Sequence, residues 1–265
     1  MDEIKKLRLS IENVIFCLTG CLLIMGMKYY YSQADCDSLQ WILGPTVWWV
    51  QLLSRIPFSY LPGTGYVNHS LCLLIAPSCS GVRFMTILFA TLVFSFTPAI
   101  ASTRTGMASN ASRLPCTWVK GFSWIAASGA LSWLLTVIVN GLRIITAIYL
   151  PMYLESAGLM SGILTQDRLH TLIGVVIYFI ALLTIYRLVG WFVQKRRGPA
   201  HLPTLLRKCA PPVFWYFTFT LGLPLLNRAG RSGAGEFTEF ALLVSGGCAL
   251  ILLPYVIILL LRKQK

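Results

Sequence analysis

The chain has 265 residues, of which 56% are hydrophobic and only 12% are charged. A soluble domain carries about 25% charged residues, so this composition excludes an ordinary soluble globular protein. The formal net charge of +13 could suit a nucleic-acid partner, but the Lys and Arg residues cluster in short segments between apolar runs. That distribution is typical of the cytoplasmic loops of a membrane protein, and we expect no nucleic-acid partner.

Six apolar runs are candidates for membrane-spanning helices, because a spanning helix needs about 20 mostly apolar residues. In chain order the predicted spans are 12–30, 82–100, 121–142, 170–191, 211–226 and 238–261. The fifth of these is the shortest. We therefore predict an all-α polytopic membrane protein of about six transmembrane helices, in which residues 1–265 form a single membrane domain with short loops.

The basic residues favour one orientation of these spans. Most of the 22 Lys and Arg residues fall in the segments 1–11, 101–120, 192–210 and 262–265. The positive-inside rule places such segments, and therefore both termini, in the cytoplasm. The opposite ends of the spans then face the extracytoplasmic side of the cell (inner) membrane.

The apolar segment 39–53 is short for a span and is followed by a polar stretch that could not return across the bilayer. It contains three tryptophans, a residue type enriched at membrane interfaces: Trp41, Trp48 and Trp49. We expect a helix in the outer interface, and a further span is the alternative. Residues 66–78 look extended and predict an outer-face hairpin that leads to Cys79.

Three short motifs lie at the predicted outer ends of three different spans. They are Cys79-Ser80-Gly81-Val82-Arg83, Asn140-Gly141-Leu142-Arg143-Ile144 and His170-Thr171-Leu172-Ile173-Gly174. This placement would bring a thiol, a guanidinium and an imidazole to one depth. A thiol attacks a carbonyl carbon as the thiolate, which a neighbouring imidazole can generate. A fixed guanidinium can stabilise the oxyanion that forms.

Each of these residues also has an ordinary structural explanation. A Cys in a membrane protein often only fills space, a His at the end of a span often packs at the interface, and an Arg there often reaches the headgroups. Because all three occur at one predicted depth, each within its motif, we interpret them as a single nucleophilic site.

The ordered motifs C-S-G-x-R, N-x-x-R-I and H-x-x-x-G resemble those of the exosortase/archaeosortase family, and exosortase K is the favoured subgroup. The resemblance covers about residues 70–190, which would form the catalytic core. It implies that Cys79 is the nucleophile, that Arg143 is the oxyanion or substrate-carbonyl partner, and that His170 is the acid/base. Supporting or substrate-binding roles are implied for Ser80, Arg83 and Asn140.

The resemblance further implies a membrane cysteine protease or transpeptidase. Its substrates would be exported proteins with a C-terminal motif, a transmembrane helix and a basic tail, which it would cleave and transfer to an acceptor. Membrane lipids would be its other partners. The sequence contains no CxxC or Cys/His zinc spacing, so we expect no metal and no other cofactor. A polytopic transporter or another non-catalytic membrane protein is the alternative, and it predicts ionisable side chains lining a path at mid-membrane.

Two further features of the long segment before Cys79 bear on its structure. Residues 61–65 match the L-P-x-T-G signal of soluble-domain sortases, but they lie early in the chain, so we interpret them as a turn. Cys36 and Cys72 either form a disulfide, if the compartment is oxidising, or remain free thiols. His69, in the same segment, is a reserve candidate for the base.

Overall fold

The computed structural model describes residues 2–101, 114–158, 165–194, 202–228 and 234–263. The helices in these ranges are α1 (Asp2–Gln33), α2 (Gln40–Ser54), α3 (Val82–Ala101), α4 (Leu114–Ser156), α5 (Gln166–Gln194), α6 (Leu202–Phe217), α7 (Leu223–Arg228) and α8 (Ala234–Lys263). Between α2 and α3 lie β1 (Ser59–Leu61), β2 (Gly65–Asn68), β3 (Leu73–Ile75) and the 3-10 turn Pro77–Cys79. A π-helical segment, Thr218–Gly222, joins α6 to α7.

Five helical segments within the described residues are long and apolar enough to cross a membrane. They are Ile11–Gln33, Pro77–Thr97, Trp118–Ser156, Gln166–Val193 and Phe237–Pro254. The remaining predicted span, 211–226, falls in the shorter apolar stretch Ala210–Leu226, which the π-helical segment interrupts. The chain is therefore a mostly helical membrane protein, as predicted, and five of the six expected spans meet the length criterion.

Helix α4 extends well beyond its predicted span, 121–142. It continues without a break to Ser156, so Arg143 lies inside a continuous helix that runs past the predicted end of the span. The extension is supported by protein contacts, because Ile144 is buried and Ile148 packs against the apolar cluster that also contains α2. Since α2 covers these residues, α4 does not have to end where the apolar run weakens.

Helix α3 is the central element of the bundle. Its candidate span is 78% buried inside the protein, against at most 44% for the other four. An apolar cluster that includes Phe84, Leu88 and Leu92 of α3 and Phe179 and Leu182 of α5 joins the two helices. Because protein surrounds α3 on most sides, the side chains near its N-terminal end pack against other parts of the protein.

Residues 34–78, which we call the cap, cover the end of the bundle where α3 begins. The cap consists of α2 and an antiparallel sheet in the order β1-β2-β3. Helix α2 has only 15 residues, too few to span a bilayer, and it buries Leu43 and Val47 while exposing Trp48. Both the predicted short helix and the predicted hairpin are therefore present, although the strands begin at Ser59 and number three.

The L-P-x-T-G match is a turn, as predicted, and connects β1 to β2. Gly63 has a φ angle of 72°, which glycine adopts readily, and the Thr64 amide donates to the Leu61 carbonyl at 3.1 Å. The Asp37 carboxylate accepts hydrogen bonds from the Gly63 amide at 3.1 Å and from the Tyr60 hydroxyl. These contacts tie the turn to the residues that precede α2.

The two cysteines of the cap are free thiols, so the disulfide considered from the sequence does not form in this structure. Cys36 is 1% exposed and belongs to the apolar cluster beneath the sheet. Cys72 is exposed, and its sulfur lies 3.8 Å from the carbonyl oxygen of His69. The cap is therefore held together by packing and hydrogen bonds.

Candidate active site

Cys79 is positioned by the tight turn that joins the cap to α3. It is the last residue of the 3-10 turn, and its amide donates to the Ala76 carbonyl at 2.8 Å. Gly81 follows with a φ angle of 75°, and its carbonyl accepts the Met85 amide at 3.0 Å in the first turn of α3. The half-buried Cys79 side chain therefore lies at a helix N-terminus, an environment that favours a thiolate.

Arg143 of α4 and His170 of α5 contact each other directly. Nη2 of Arg143 lies 2.9 Å from Nε2 of His170 and 3.5 Å from Nδ1. Arg143 is only 8% exposed, whereas His170 is exposed. Because a guanidinium has only donors, the ring nitrogen that accepts from it must be unprotonated.

The thiol of Cys79 completes the cluster. Its side chain lies within electrostatic range of both His170 and Arg143. Three residues that are far apart in the sequence thus lie near one another at the N-terminal end of α3. The arrangement combines a potential nucleophile, a potential base and a fixed positive charge.

Asn140 connects α4 to the turn that carries Cys79. Its side chain is fully buried; Nδ2 donates to the Cys79 carbonyl at 2.6 Å, and Oδ1 accepts from the Tyr178 hydroxyl at 2.6 Å. The sequence predicted a supporting role for Asn140 but did not single out Tyr178. The available signal was spacing, because His170, Gly174 and Tyr178 follow one another at intervals of four and so share a face of α5.

Two glycines of the motifs allow the helices to approach closely at this point. A Cβ atom on Gly81 would lie 2.9 Å from Cγ of Asn140 and 3.0 Å from Cγ2 of Thr136, distances that a folded protein does not tolerate without movement. A Cβ atom on Gly174 would lie 3.6 Å from Nε of Arg143, which is ordinary contact. The first glycine is therefore needed for packing, and the second leaves room for the guanidinium.

The other candidates from the sequence lie around this cluster. Ser80 is fully buried, and its hydroxyl has no hydrogen-bond partner among the described residues. Arg83 is exposed, and no described hydrogen bond or ion pair joins it to the cluster. His69 is an exposed cap residue, and no described interaction joins it to Cys79.

An apolar cavity of about 580 Å³ lies beside α4. It is lined by residues of α1 to α4, including Leu23, Trp41, Met85, Ala126 and Trp133. Met85 is also the residue whose amide donates to the Gly81 carbonyl, so the cavity begins one helical turn from the turn that carries Cys79. The described lining consists of apolar and hydroxyl-bearing side chains.

The fold and the cluster together define a class of protein. The chain is a mostly helical, multi-pass membrane protein that holds a Cys, an Arg and a His side chain together at the start of its central helix. No protein-family model, curated protein or solved structure matches the chain. The argument for function therefore depends on the site itself.

Proposed function

We propose that the chain is a membrane-embedded cysteine protease or transpeptidase of the exosortase kind. It would cleave the C-terminal sorting signals of exported proteins and transfer those proteins to an acceptor. The observation that supports this most directly is the contact of Arg143 with His170 at 2.9 Å, within electrostatic range of the Cys79 thiol. A nucleophile within reach of a base and an oxyanion partner is the minimum for acyl transfer.

In the first step, neutral His170 takes the proton of the Cys79 thiol, and the positive charge of Arg143 stabilises the thiolate. The sulfur attacks the carbonyl carbon of the scissile peptide bond, a C–S bond forms, and the carbonyl electron pair moves to oxygen. Arg143 then pairs with the oxyanion. As the tetrahedral intermediate collapses, His170 protonates the leaving amine, the C–N bond breaks, and a thioester on Cys79 remains.

In the second step, the nucleophile of the acceptor attacks the thioester. His170 removes the proton of this nucleophile, and the thiolate of Cys79 leaves. The exposure of His170 suits this step, because the nucleophile of the acceptor can reach the imidazole. The burial of Arg143 strengthens the interaction of its charge with the thiolate and the oxyanion, because water weakens electrostatic interactions.

The substrate is proposed to carry a short motif, a transmembrane helix and a basic tail. A substrate anchored in this way would present its scissile bond near the membrane surface. The catalytic cluster lies at the end of the candidate span that begins at Pro77, which suits such a bond. We place the site on the extracytoplasmic side of the cell membrane, with both termini in the cytoplasm and lipids around the bundle.

The alternative of a transporter has less support. It predicts ionisable side chains along a path at mid-membrane. In the described part of the chain, the cavity beside α4 has an apolar and hydroxyl-bearing lining, whereas the buried guanidinium of Arg143 belongs to the cluster at the start of α3. An enzyme accounts for that concentration of polar groups.

The decisive experiment is co-expression of the chain with an exported protein that carries a C-terminal motif, a single span and a basic tail. The Cys79→Ala variant should accumulate the uncleaved precursor, while the amount of the variant in the membrane stays normal. The matched control is Cys72→Ala, which removes an exposed thiol and should process the precursor at the normal rate. Normal processing by Cys79→Ala would overturn the proposal.

The proposed orientation has its own test, because Cys72 is exposed on the cap. We expect a membrane-impermeant maleimide to label a variant whose single cysteine is Cys72 in intact cells. A variant whose single cysteine is Cys209 should be labelled only after the membrane is opened. Labelling of Cys209 in intact cells would contradict the proposed orientation, because the site would then face the cytoplasm.

A further inference from the structure

We propose that Tyr178 is a positioning residue that acts through Asn140 to hold the backbone of Cys79, and with it the thiol, against Arg143 and His170. The inference rests on the proposed role of Cys79 as the nucleophile. It adds a residue that lies outside all three motifs.

The evidence is a chain of two short hydrogen bonds. The Tyr178 hydroxyl donates to Oδ1 of Asn140 at 2.6 Å, and Nδ2 of Asn140 donates to the Cys79 carbonyl at 2.6 Å. A carbonyl oxygen can only accept, so the amide nitrogen of Asn140 must face Cys79, and the amide oxygen must then face Tyr178. The Cys79 carbonyl therefore sets the orientation of the amide, and the Tyr178 hydroxyl supplies the donor that the amide oxygen needs in this orientation.

The ring of Tyr178 is itself fixed by its neighbours. It stacks on Phe84 with a centroid separation of 4.7 Å and an interplanar angle of 12°, and Phe84 is only 1% exposed. The central carbon of the Arg143 guanidinium lies 5.9 Å from the ring centroid, within the range of a cation–π interaction. Tyr178 in α5 therefore contacts both α3 and α4, the other two helices of the site.

Removal of the hydroxyl should loosen this arrangement. The buried oxygen of Asn140 would lose its donor, and an unpaired buried acceptor is costly. The amide could then turn away from Cys79, and the turn would no longer hold the thiol against its two partners. We expect the reactivity of the thiol to fall by about 3- to 10-fold, the factor that one neutral hydrogen bond supplies.

The test uses iodoacetamide on the full-length protein in membranes, and mass spectrometry follows the Cys79 and Cys72 peptides separately. Tyr178→Phe keeps the ring, its stacking and its cation–π contact. We expect alkylation of Cys79 to be about 3- to 10-fold slower at neutral pH, with its pH profile moved to higher pH. Alkylation of Cys72 should not change. A Cys79 rate and pH profile equal to those of the unmodified chain would overturn the inference.

Tyr216→Phe is the matched control, because Tyr216 is also a buried tyrosine and its ring packs on Phe179 instead. It should leave the alkylation of Cys79 unchanged. If it slows Cys79 as much as Tyr178→Phe does, the effect is general loosening of the core and the inference fails.

A double-mutant cycle tests whether Tyr178 acts through Asn140. Asn140→Ala should slow the alkylation of Cys79 at least as much as Tyr178→Phe does, and the second change should then add little. If the two losses multiply in full, the residues act independently and the relay is wrong. These results concern the thiol alone, so they can fail while processing still depends on Cys79, and the proposed function would then stand without the relay.

Discussion

The cap and the cluster of Cys79, Arg143 and His170 each contain a cysteine in contact with the same apolar cluster, yet the two thiols have different surroundings. Cys36 belongs to that cluster and Cys79 packs against it. Burial raises the pKa of Cys36, and the nearby carboxylates of Asp37 and Asp35 raise it further. Cys79 instead meets Arg143 and His170. The comparison teaches that the charges around a buried thiol, more than its burial, separate a packing residue from a candidate nucleophile.

The two regions also differ in how their polar groups are satisfied. In the cap, Asp35 accepts from the amide and hydroxyl of Ser38, three residues away, which lowers the pKa of Asp35. In the cluster, the bonds of Asn140 and Arg143 cross between helices over 27 to 61 residues of sequence. Local bonds shape a turn, whereas the long-range bonds make the cluster depend on the whole bundle.

Among the changes that test this comparison, Arg143→Lys should have the largest effect on processing of the precursor. Lys retains the charge but loses the planar set of donors that reaches both His170 and the developing oxyanion. Loss of one oxyanion donor costs about 10²- to 10³-fold in rate, so the uncleaved precursor should accumulate. The matched control is Arg187→Lys at an exposed position toward the other end of α5, where we expect nearly normal processing. An active Arg143→Lys variant would show that a positive charge alone is sufficient.

His170→Ala should also stop processing, because the thiol loses its base and the leaving amine loses its acid. General acid–base groups contribute about 10²- to 10⁴-fold. Precursor accumulation in a pulse-chase experiment measures this loss. The reserve candidate His69 supplies the control, since His69→Ala should process normally. If only His69→Ala fails, the base has been assigned to the wrong histidine.

The two thiols should differ by about 10-fold or more in their rates of alkylation at neutral pH, with Cys79 the faster. Because the pKa of Cys36 is raised, a smaller fraction of this side chain is thiolate at a given pH than for an ordinary thiol. Its rate should therefore continue to rise beyond pH 9, the range in which an ordinary thiol is already mostly ionised. Mass spectrometry of iodoacetamide-treated membranes across a pH series gives both rates. Equal alkylation rates of Cys79 and Cys36 at neutral pH would contradict this prediction.

Gly81→Ala and Gly63→Ala form a matched pair, because both glycines have φ angles near 70°. A left-handed backbone costs a non-glycine residue about 1–2 kcal/mol, and both variants should lose that much stability. Only at Gly81 would the new Cβ also collide with Asn140, since nothing lies within 4 Å of a Cβ on Gly63. Thermal unfolding should therefore show the larger loss for Gly81→Ala, and only this variant should slow the alkylation of Cys79.

The smallest effect should come from Asp37→Asn in the cap. The hydrogen bond to the Asp37 carboxylate raises the pKa of Tyr60, so the variant should titrate this tyrosine at lower pH. Ultraviolet difference spectra between the two proteins would reveal the shift. Processing should remain normal, because Asp37 contacts the sheet turn and not the cluster. A clear loss of processing would show that the turn between β1 and β2 takes part in catalysis.

The sequence alone was sufficient for the helical membrane class and for naming Cys79, Arg143 and His170 as candidate site residues. A bilayer demands long apolar helices, and a Cys, an Arg and a His in matched positions beside them stand out because charged and ionisable groups are costly there. The sequence also predicted the turn at Gly63, because the backbone conformations of a Pro-Gly pair favour a turn whatever surrounds it.

Only the tertiary structure showed that Arg143 lies inside a continuous helix and that Tyr178 holds Asn140. In sequence, a Tyr in an apolar helix indicates only a core residue. Its partner Asn140 is 38 residues away, and Asn140 and Cys79 are separated by 61 residues. Such contacts depend on how α3, α4 and α5 rotate about their axes when they pack. That rotation is set by side-chain interlocking across helices, which no local pattern of apolar residues determines.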